Sequence, residues 1–342
     1  MQCLGLNYRT SPVEVREKFS VPRKLLVQRN AELAALSGVE ECVLLSTCNR
    51  TELYYWTYEP ERMHRVIMEY LLGQVDVSSV LSTCFYRYEA EQALEHLAAV
   101  ASGLDSMVVG ETEIFGQLKD AYRAAVEANT TATCANRTFQ RIFSIGKKVR
   151  SETRITSGPT SVGAVAVQLA CKALGSLSGA NVLVVGAGEI ARSTAQSLRS
   201  RGAESIFVAN RSYDRAVALA EQVGGRVIRF SEWVPYLEQI DIVIVSTASP
   251  VYVVSPAVLR ETQLARQGRP LFLIDLSVPR NADPACAELP GVHVYDMDDM
   301  QSMVADTRRQ RAAEIAAGES LVQHWVEENA EDLLRRPHFV TK

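Results

Sequence analysis

The 342-residue sequence has no apolar run near the roughly 20 residues that a membrane-spanning helix requires, and its opening, MQCLGLNYRT, lacks the basic-then-apolar order of a secretory signal. A soluble, cytoplasmic protein with no membrane partner is the expectation. There is no CxxC pair and no clustered Cys/His spacing, which removes the common structural zinc modules, and no metal is expected. The seven cysteines (Cys3, Cys42, Cys48, Cys84, Cys134, Cys171 and Cys286) are odd in number and scattered, so reduced thiols are expected in place of a disulfide framework. An excess of one charge is lacking too: 36 Lys plus Arg against 40 Asp plus Glu give −4, so a nucleic-acid partner must find a local basic face. Repeats and low-complexity tracts are absent. With 47% hydrophobic and 22% charged residues, the chain has enough apolar surface for two or three buried cores.

Residues 1–155 mix short strands and helices. A helical stretch from Arg23 to Leu36 stops at Gly38, the apolar run Cys42 to Ser46 reads as a strand, and Glu52 to Trp56 reads as its neighbour. Ser46-Thr47-Cys48-Asn49-Arg50-Thr51 lies at the bend between them. Helices are predicted over 89–103, 113–128 and 160–174, and Ser157-Gly158-Pro159 breaks the chain before the last of these, a candidate hinge. From Asn181 strands alternate with helices: Val182 to Val185, a helix from Glu189, Ile206 to Ala209, a helix from Asp214, Ile242 to Ser246, and Leu271 to Leu276. That alternation predicts a parallel, doubly wound sheet over 156–297. Residues 298–342 read as one long charged helix to about Arg336. Its thin stripe of Ile315, Val322, Val326 and Leu333 suits either a seam for a partner or packing on its own chain.

Directly after the first of these strands stands Gly186-Ala187-Gly188-Glu189-Ile190-Ala191. Gly186 permits a tight turn, Gly188 lets the backbone approach a pyrophosphate, and Ala191 lets the helix sit closely on the strand. The next strand ends in Asn210-Arg211-Ser212, where an NAD enzyme usually carries an acid for the ribose 2′-hydroxyl. An arginine with small hydrogen-bonding neighbours suits a 2′-phosphate, which favours NADP(H).

Cys48, after a buried-type strand and beside Asn49-Arg50, has the setting of a nucleophile whose thiolate turn amides and a guanidinium favour, although a small core residue is the plainer reading. Cys42 and Cys171 look like core thiols. His96 borders an apolar helical stripe just before the glycine-punctuated stretch Ser102 to Glu111, which reads as a pocket wall. Between 135 and 155 six basic residues (Arg137, Arg141, Lys147, Lys148, Arg150, Arg154) stand against Glu152, a balance of +5 that suits phosphates or merely a solvated helix face.

GLNYRTSPVEVREKF, STCNRTE at 46–52, ASGLDSMVVGE at 101–111, GQLK at 116–119, GPTSVGAVAV at 158–167, GAGEIA at 186–191, ANRS at 209–212 and LIDLSVPRNADP at 273–284 together resemble the glutamyl-tRNA reductase family, in the family's order from residue 1 to about 328. The resemblance implies an α/β chain with an amino-terminal α+β catalytic domain at 1–155, a Rossmann-like NADP-binding domain at 156–297 and a long carboxyl-terminal helix. It implies NADPH-dependent reduction of glutamyl-tRNA(Glu) to glutamate-1-semialdehyde, opening the five-carbon route to porphyrins and other tetrapyrroles. Cys48 would form a glutamyl thioester, which a hydride reduces, and His96 would act as base or orienting group. Thr47, Asn49, Arg50, Ser106, Glu111, Thr112, Glu113 and Gln117 fall at substrate-holding positions, with Arg50 the natural partner of the glutamate side-chain carboxylate and Glu111 of the α-ammonium.

This chain departs from the family at Ala98-Ala99, where an aromatic residue and an arginine are usual, at Thr112-Glu113 in place of Pro-Gln, and at Tyr8 in place of a histidine. Glu113 adds a negative charge to the substrate site. The family resemblance also implies a downstream glutamate-1-semialdehyde aminotransferase as partner and a homodimer, formed through a helical region most of which this chain lacks, so the dimer stays open. Two alternatives remain: a shikimate-dehydrogenase-like NADP oxidoreductase, which needs no thiol, and a non-catalytic paralogue that binds tRNA or a pathway partner.

Overall fold

The computed structural model describes residues 1–73, 83–156, 161–263, 265–300, 309 and 311–335. The candidate hinge Gly158-Pro159 lies outside the described residues, and the last helix, expected to run to about Arg336, ends at Leu334. The chain divides into two compact units, one of residues 1–160 with the C-terminal stretch from 308, the other of residues 161–307.

In the first unit, β1 (Gln2–Asn7), β2 (Glu41–Ser46), β3 (Arg50–Trp56) and β4 (Tyr86–Glu89) form an antiparallel sheet in the order β2-β3-β1-β4. β2 and β3 pair from Glu41↔Trp56 to Ser46↔Thr51, so only Thr47, Cys48 and Asn49 lie outside the strands at the bend. The helices are α1 (Val13–Phe19), α2 (Leu26–Ala34), α3 (Pro60–Gly73), α4 (Ala90–Ser102), α5 (Glu113–Glu127) and α6 (Thr133–Glu152). Glu41 fixes the start of α6: its carboxylate accepts the backbone N–H groups of Ala132, Cys134 and Ala135 at 2.7–3.0 Å, supplying acceptors that a helix N-terminus otherwise lacks.

The C-terminal helix, Ala312–Leu334, resolves the ambiguity of its apolar stripe. Ile315, Val322, Val326 and Leu333 are all buried in one core with Ala98, Leu97 and Val100 of α4 and Phe139, Ile142 and Val149 of α6. The helix therefore packs on its own chain as part of the first unit, where the sequence had suggested a separate region. Gly318 permits the close approach, because a Cβ there would lie 2.9 Å from Leu104 and 3.2 Å from Val149.

The second unit begins with α7 (Val162–Leu174), whose N-cap Ser161 accepts the Ala164 N–H. β5 (Asn181–Val185), α8 (Glu189–Ser200), β6 (Ser205–Asn210), α9 (Tyr213–Val223), β7 (Arg226–Arg229), β8 (Ile242–Val245), α10 (Pro256–Gln263), β9 (Leu271–Asp275) and β10 (Val292–Tyr295) follow, and the C-terminal helix of the first unit is α11. The six strands are all parallel, in the order β7-β6-β5-β8-β9-β10. This is the doubly wound order 3-2-1-4-5-6, with its switch point between β5 and β8. The inner strands carry continuous Val/Ile/Leu runs because helices cover both faces of such a sheet.

Candidate active site

Cys48 occupies the tip of the β2–β3 turn. Thr47 builds that turn: its hydroxyl accepts the N–H groups of Asn49 (3.1 Å) and Arg50 (3.2 Å), while its own N–H donates to the Arg50 carbonyl at 2.8 Å. A threonine that satisfies two amides with its side chain stabilises so short a connection. Tyr8 ties it to the neighbouring loop, donating its N–H to the Asn49 carbonyl (2.9 Å) and its hydroxyl to the Ser106 carbonyl (3.3 Å). Asn49 Oδ1 and Ser106 Oγ are buried and have no hydrogen-bond partner among the described residues. An unmet buried polar atom costs roughly 1–3 kcal/mol, and each of these two has capacity for a further hydrogen bond.

The stretch from Gly103 to Thr112 forms the facing wall. Gly103 caps α4 with φ +79°, and the Gly110 N–H returns to its carbonyl at 2.9 Å. Gly110 has φ +81° and a Cβ there would fall 1.9 Å from the Ile155 carbonyl oxygen, so only glycine fits. Arg311, ahead of α11, braces the same wall by donating to the carbonyls of Val109 (2.7 Å) and Ile155 (3.2 Å). Glu111 and Glu113 are buried, Thr112 is exposed at the start of α5, and half-buried Gln117 stands one turn after Glu113 on the same helix.

The electrostatics at Cys48 differ from the expectation. Burial, followed by the carboxylates of Glu111 and Glu113, pushes its thiol up to about 12, with Arg16 of α1 acting in the opposite direction. The resting sulfur is therefore a thiol. Its guanidinium neighbour is Arg16, which the sequence did not single out, and not Arg50. Arg50 is 2% exposed and already engaged: Nη1 donates to Glu52 at 2.5 Å, and Nη2 donates to the Asp105 carbonyl (2.6 Å) and carboxylate (2.9 Å). In the free protein it joins the turn to the facing wall. Asp105 is also bound by Arg9 at 2.6 Å.

Glu52 is the centre of a second cluster. It is wholly buried and accepts hydrogen bonds from Arg50, Tyr54 (2.5 Å), Tyr86 (2.5 Å) and His96 Nε2 (2.9 Å). Burial alone would raise its carboxyl, but Arg50 and His96, with the bonds from His96 and Tyr54, outweigh this and hold it well below the usual carboxylate range. Because an ionised carboxylate can only accept, the bond requires His96 Nε2 to carry the proton. The imidazole packs against the rings of Tyr86 (5.4 Å) and Tyr88 (4.7 Å), which also contact each other (5.2 Å). His96 thus belongs with Glu52, whereas Glu111, Glu113 and Arg16 are the charges that act on Cys48. Neither Glu52 nor Asp105 was singled out from the sequence. Of the two cysteines read as core thiols, Cys42 is fully buried and Cys171 only half-buried.

In the second unit, Gly186 has φ +123°, and a Cβ there would fall 1.9 Å from the Ser246 carbonyl oxygen, so the turn after β5 requires glycine. A Cβ on Gly188, the N-cap of α8, would meet nothing within 4 Å, and no side chain caps that helix. Open space thus adjoins the Gly188–Ala191 helix start, as an anion between Gly188 and the first-turn N–H groups needs. At the end of β6, Asn210 donates to the Ser212 carbonyl (2.9 Å), and exposed Arg211 forms no ion pair among the described residues. With no acid at that strand end, the donor set fits a 2′-phosphate and hence NADPH. At the C-terminal end of β9, the buried carboxylate of Asp275 accepts the N–H groups of Ser277 (2.9 Å), Asn281 (2.7 Å) and Ala282 (2.7 Å), which anchors the loop after β9.

Residues 4–153 match the family model of the glutamyl-tRNAGlu reductase N-terminal domain, and residues 168–303 match that of shikimate / quinate 5-dehydrogenase. A glutamyl-tRNA reductase of Akkermansia muciniphila is 49% identical over 323 residues, which is 94% of this chain and 95% of the relative. One of Desulforudis audaxviator is 43% identical over 318 residues, covering 92% of this chain and 71% of the relative. Among solved structures, the glutamyl-tRNA reductase from Methanopyrus kandleri is 34% identical, with a TM-score of 0.51 over 97% of this chain and 80% of its own. The dehydrogenase match is confined to the nucleotide-binding unit, whereas these relatives span both, and on that agreement the chain belongs to the glutamyl-tRNA reductase family.

Proposed function

We propose that the chain reduces glutamyl-tRNA(Glu) to glutamate-1-semialdehyde with NADPH, the first step of five-carbon tetrapyrrole synthesis, and that Cys48 carries the acyl group. The position of Cys48 supports this reading most: it stands at the tip of a tight turn, beside the unpartnered Asn49 Oδ1 and across Tyr8 from the unpartnered Ser106 Oγ. The sulfur attacks the ester carbonyl, the bond to the terminal ribose of the tRNA breaks, and the thiol proton leaves with the ribose oxygen. Asn49 and Ser106 receive polar groups of the aminoacyl moiety. Its α-ammonium meets Glu111 and Glu113, and by neutralising the two carboxylates that oppose ionisation it makes the thiolate easier to form. Arg50 takes the side-chain carboxylate in exchange for Asp105, which keeps Arg9 as its partner. His96, held by Glu52 through Nε2–H, offers Nδ1 as the basic nitrogen.

Gly186, Gly188 and the start of α8 would hold the pyrophosphate of NADPH, and Arg211 its 2′-phosphate. When bound, NADPH supplies the hydride that takes the acyl carbon to the aldehyde level. The tRNA docks along α6 at Lys147, Lys148 and Arg150, with Arg154 just past the end of the helix, since Arg137 and Arg141 are already paired with Asp332 of α11. A cytoplasmic setting and a downstream aminotransferase that consumes the aldehyde complete the reading. The test is incubation with glutamate-labelled glutamyl-tRNA in the absence of NADPH. A labelled glutamyl group on the Cys48 peptide is expected. Retained tRNA binding without any adduct would favour the non-catalytic paralogue, and full turnover by Cys48→Ser would favour a dehydrogenase that needs no thiol.

A further inference from the structure

The Cys3 sulfur on β1, a carboxylate oxygen of Glu52 on β3 and a ring nitrogen of His96 on α4 lie within 4.8 Å of one another. The strand register brings them together. Cys3 pairs with Tyr54 and Gly5 with Glu52, so these four positions share one face of the sheet, which α4 covers. Gly5 leaves the room that the Glu52 side chain fills, because a Cβ there would be 2.7 Å from Glu52 Cγ. A thiol, a carboxylate and an imidazole make up the donor set of a borderline-soft dication such as Zn²⁺ or Co²⁺, whereas Mg²⁺ and Ca²⁺ take oxygen.

The surroundings can accommodate such an ion. Among the described residues Glu52 Oε1 accepts from Arg50, Tyr86 and His96, while Oε2 accepts from Tyr54 alone and has capacity for one more bond. Arg50 keeps a counter-charge if Glu52 turns away, because Asp105 holds it as well. Metal bonds of about 2.0–2.3 Å require the three side chains to draw together by roughly an ångström. His96, the least buried of the three, is the side of entry.

We propose that Cys3, Glu52 and His96 form an inhibitory site for a divalent cation of the zinc class. The metal–sulfur bond forms as the thiol proton is released to solvent, and the neutral His96 ring shifts its proton from Nε2 to Nδ1, so that Nε2 gives up its bond to Glu52 and becomes a ligand. Inhibition rests on the reductase reading, in which His96 serves the substrate site; metal binding does not.

The test is a cobalt(II) titration of the full chain, chelator-free and reduced. One equivalent is expected to saturate a thiolate-to-cobalt charge-transfer absorption. Cys48→Ser retains the band, whereas Cys3→Ala and the volume-conserving Cys3→Val each weaken binding on the order of 100-fold or more. Saturating zinc is expected to lower turnover of the unmodified chain at least tenfold and to leave the Cys3→Val rate unchanged. Absence of the band, its survival in both Cys3 variants, its loss in Cys48→Ser, or zinc-insensitive turnover with the band saturated would each overturn the proposal. If the reductase reading fails instead, no semialdehyde forms with or without metal, and the band alone still decides the site.

Discussion

A thiol held among buried carboxylates ionises late, and Cys48 has Glu111 and Glu113 beside it with Arg16 as the opposing charge. At neutral pH only a very small fraction of the free protein carries the thiolate, and that fraction rises with pH until the thiol value of about 12 is approached. Alkylation of Cys48 by iodoacetamide is therefore expected to accelerate about tenfold per pH unit from pH 7 to 10. A plateau below pH 9, followed by peptide mapping of Cys48, would contradict the account. Arg211 gives a second prediction at this scale. Exposed and without an ion pair among the described residues, it is available to a phosphate. Arg211→Asp should raise KM for NADPH by a factor of ten or more, as loss of a charge-assisted bond and gain of a repulsive charge require, while narrowing the preference over NADH. Steady-state kinetics with both cofactors checks this. The glycines and small residues of 186–191 were legible in the sequence because their roles are local, set by one turn and one helix start. Arg16, Glu52 and Asp105 were not, because each matters through partners distant in the chain: Asp105 meets Arg50 across 55 positions, and His96 meets Glu52 across 44.

Among the elements, the β2–β3 hairpin and α11 position the first site. The hairpin was visible as two apolar runs around a polar bend, although the bend proved shorter than its composition suggested, since Arg50 and Thr51 already belong to β3. The short strands β4, β7 and β10, four residues each, carried too little alternation to be recognised. For α11 the apolar stripe was readable but its partner was not, because a seam for a second chain and a seam for α4 and α6 have the same period. Leu333, 1% exposed, is buried in that core. Leu333→Ala is expected to cost about 2–5 kcal/mol and to lower the melting temperature of the first unit. An unchanged transition by calorimetry would show that α11 does not support the fold. In the second unit, burial raises Asp275 to about 6 despite its backbone partners. The folded chain then holds that proton more firmly than the unfolded one, so this group's contribution to stability is present below about pH 4 and declines as pH rises through 6. Asp275→Asn, which cannot ionise, should remove that slope from the melting temperature of the second unit between pH 4 and 6.

At the scale of the molecule, in the proposed reading each unit carries a different part of the chemistry: a thiol on an antiparallel hairpin in one, a glycine turn on a doubly wound sheet in the other. Strand–helix alternation was enough to anticipate a parallel, doubly wound sheet, whereas its strand order and the short strands β7 and β10 come from the structure. The first unit has no such rule behind it, and its two charge clusters appear only when β1, β3 and the loop after α4 are folded together. Acyl capture and hydride reduction are separable in time if Cys48 holds the acyl group between them. A single-turnover experiment tests this most directly: the protein is loaded from labelled glutamyl-tRNA, freed of tRNA, and mixed rapidly with NADPH. The account predicts that the label leaves Cys48 as glutamate-1-semialdehyde at a rate no slower than kcat, and that Cys48→Ser releases none. Semialdehyde that forms while the label on Cys48 persists, or that Cys48→Ser makes at the native rate, would contradict it.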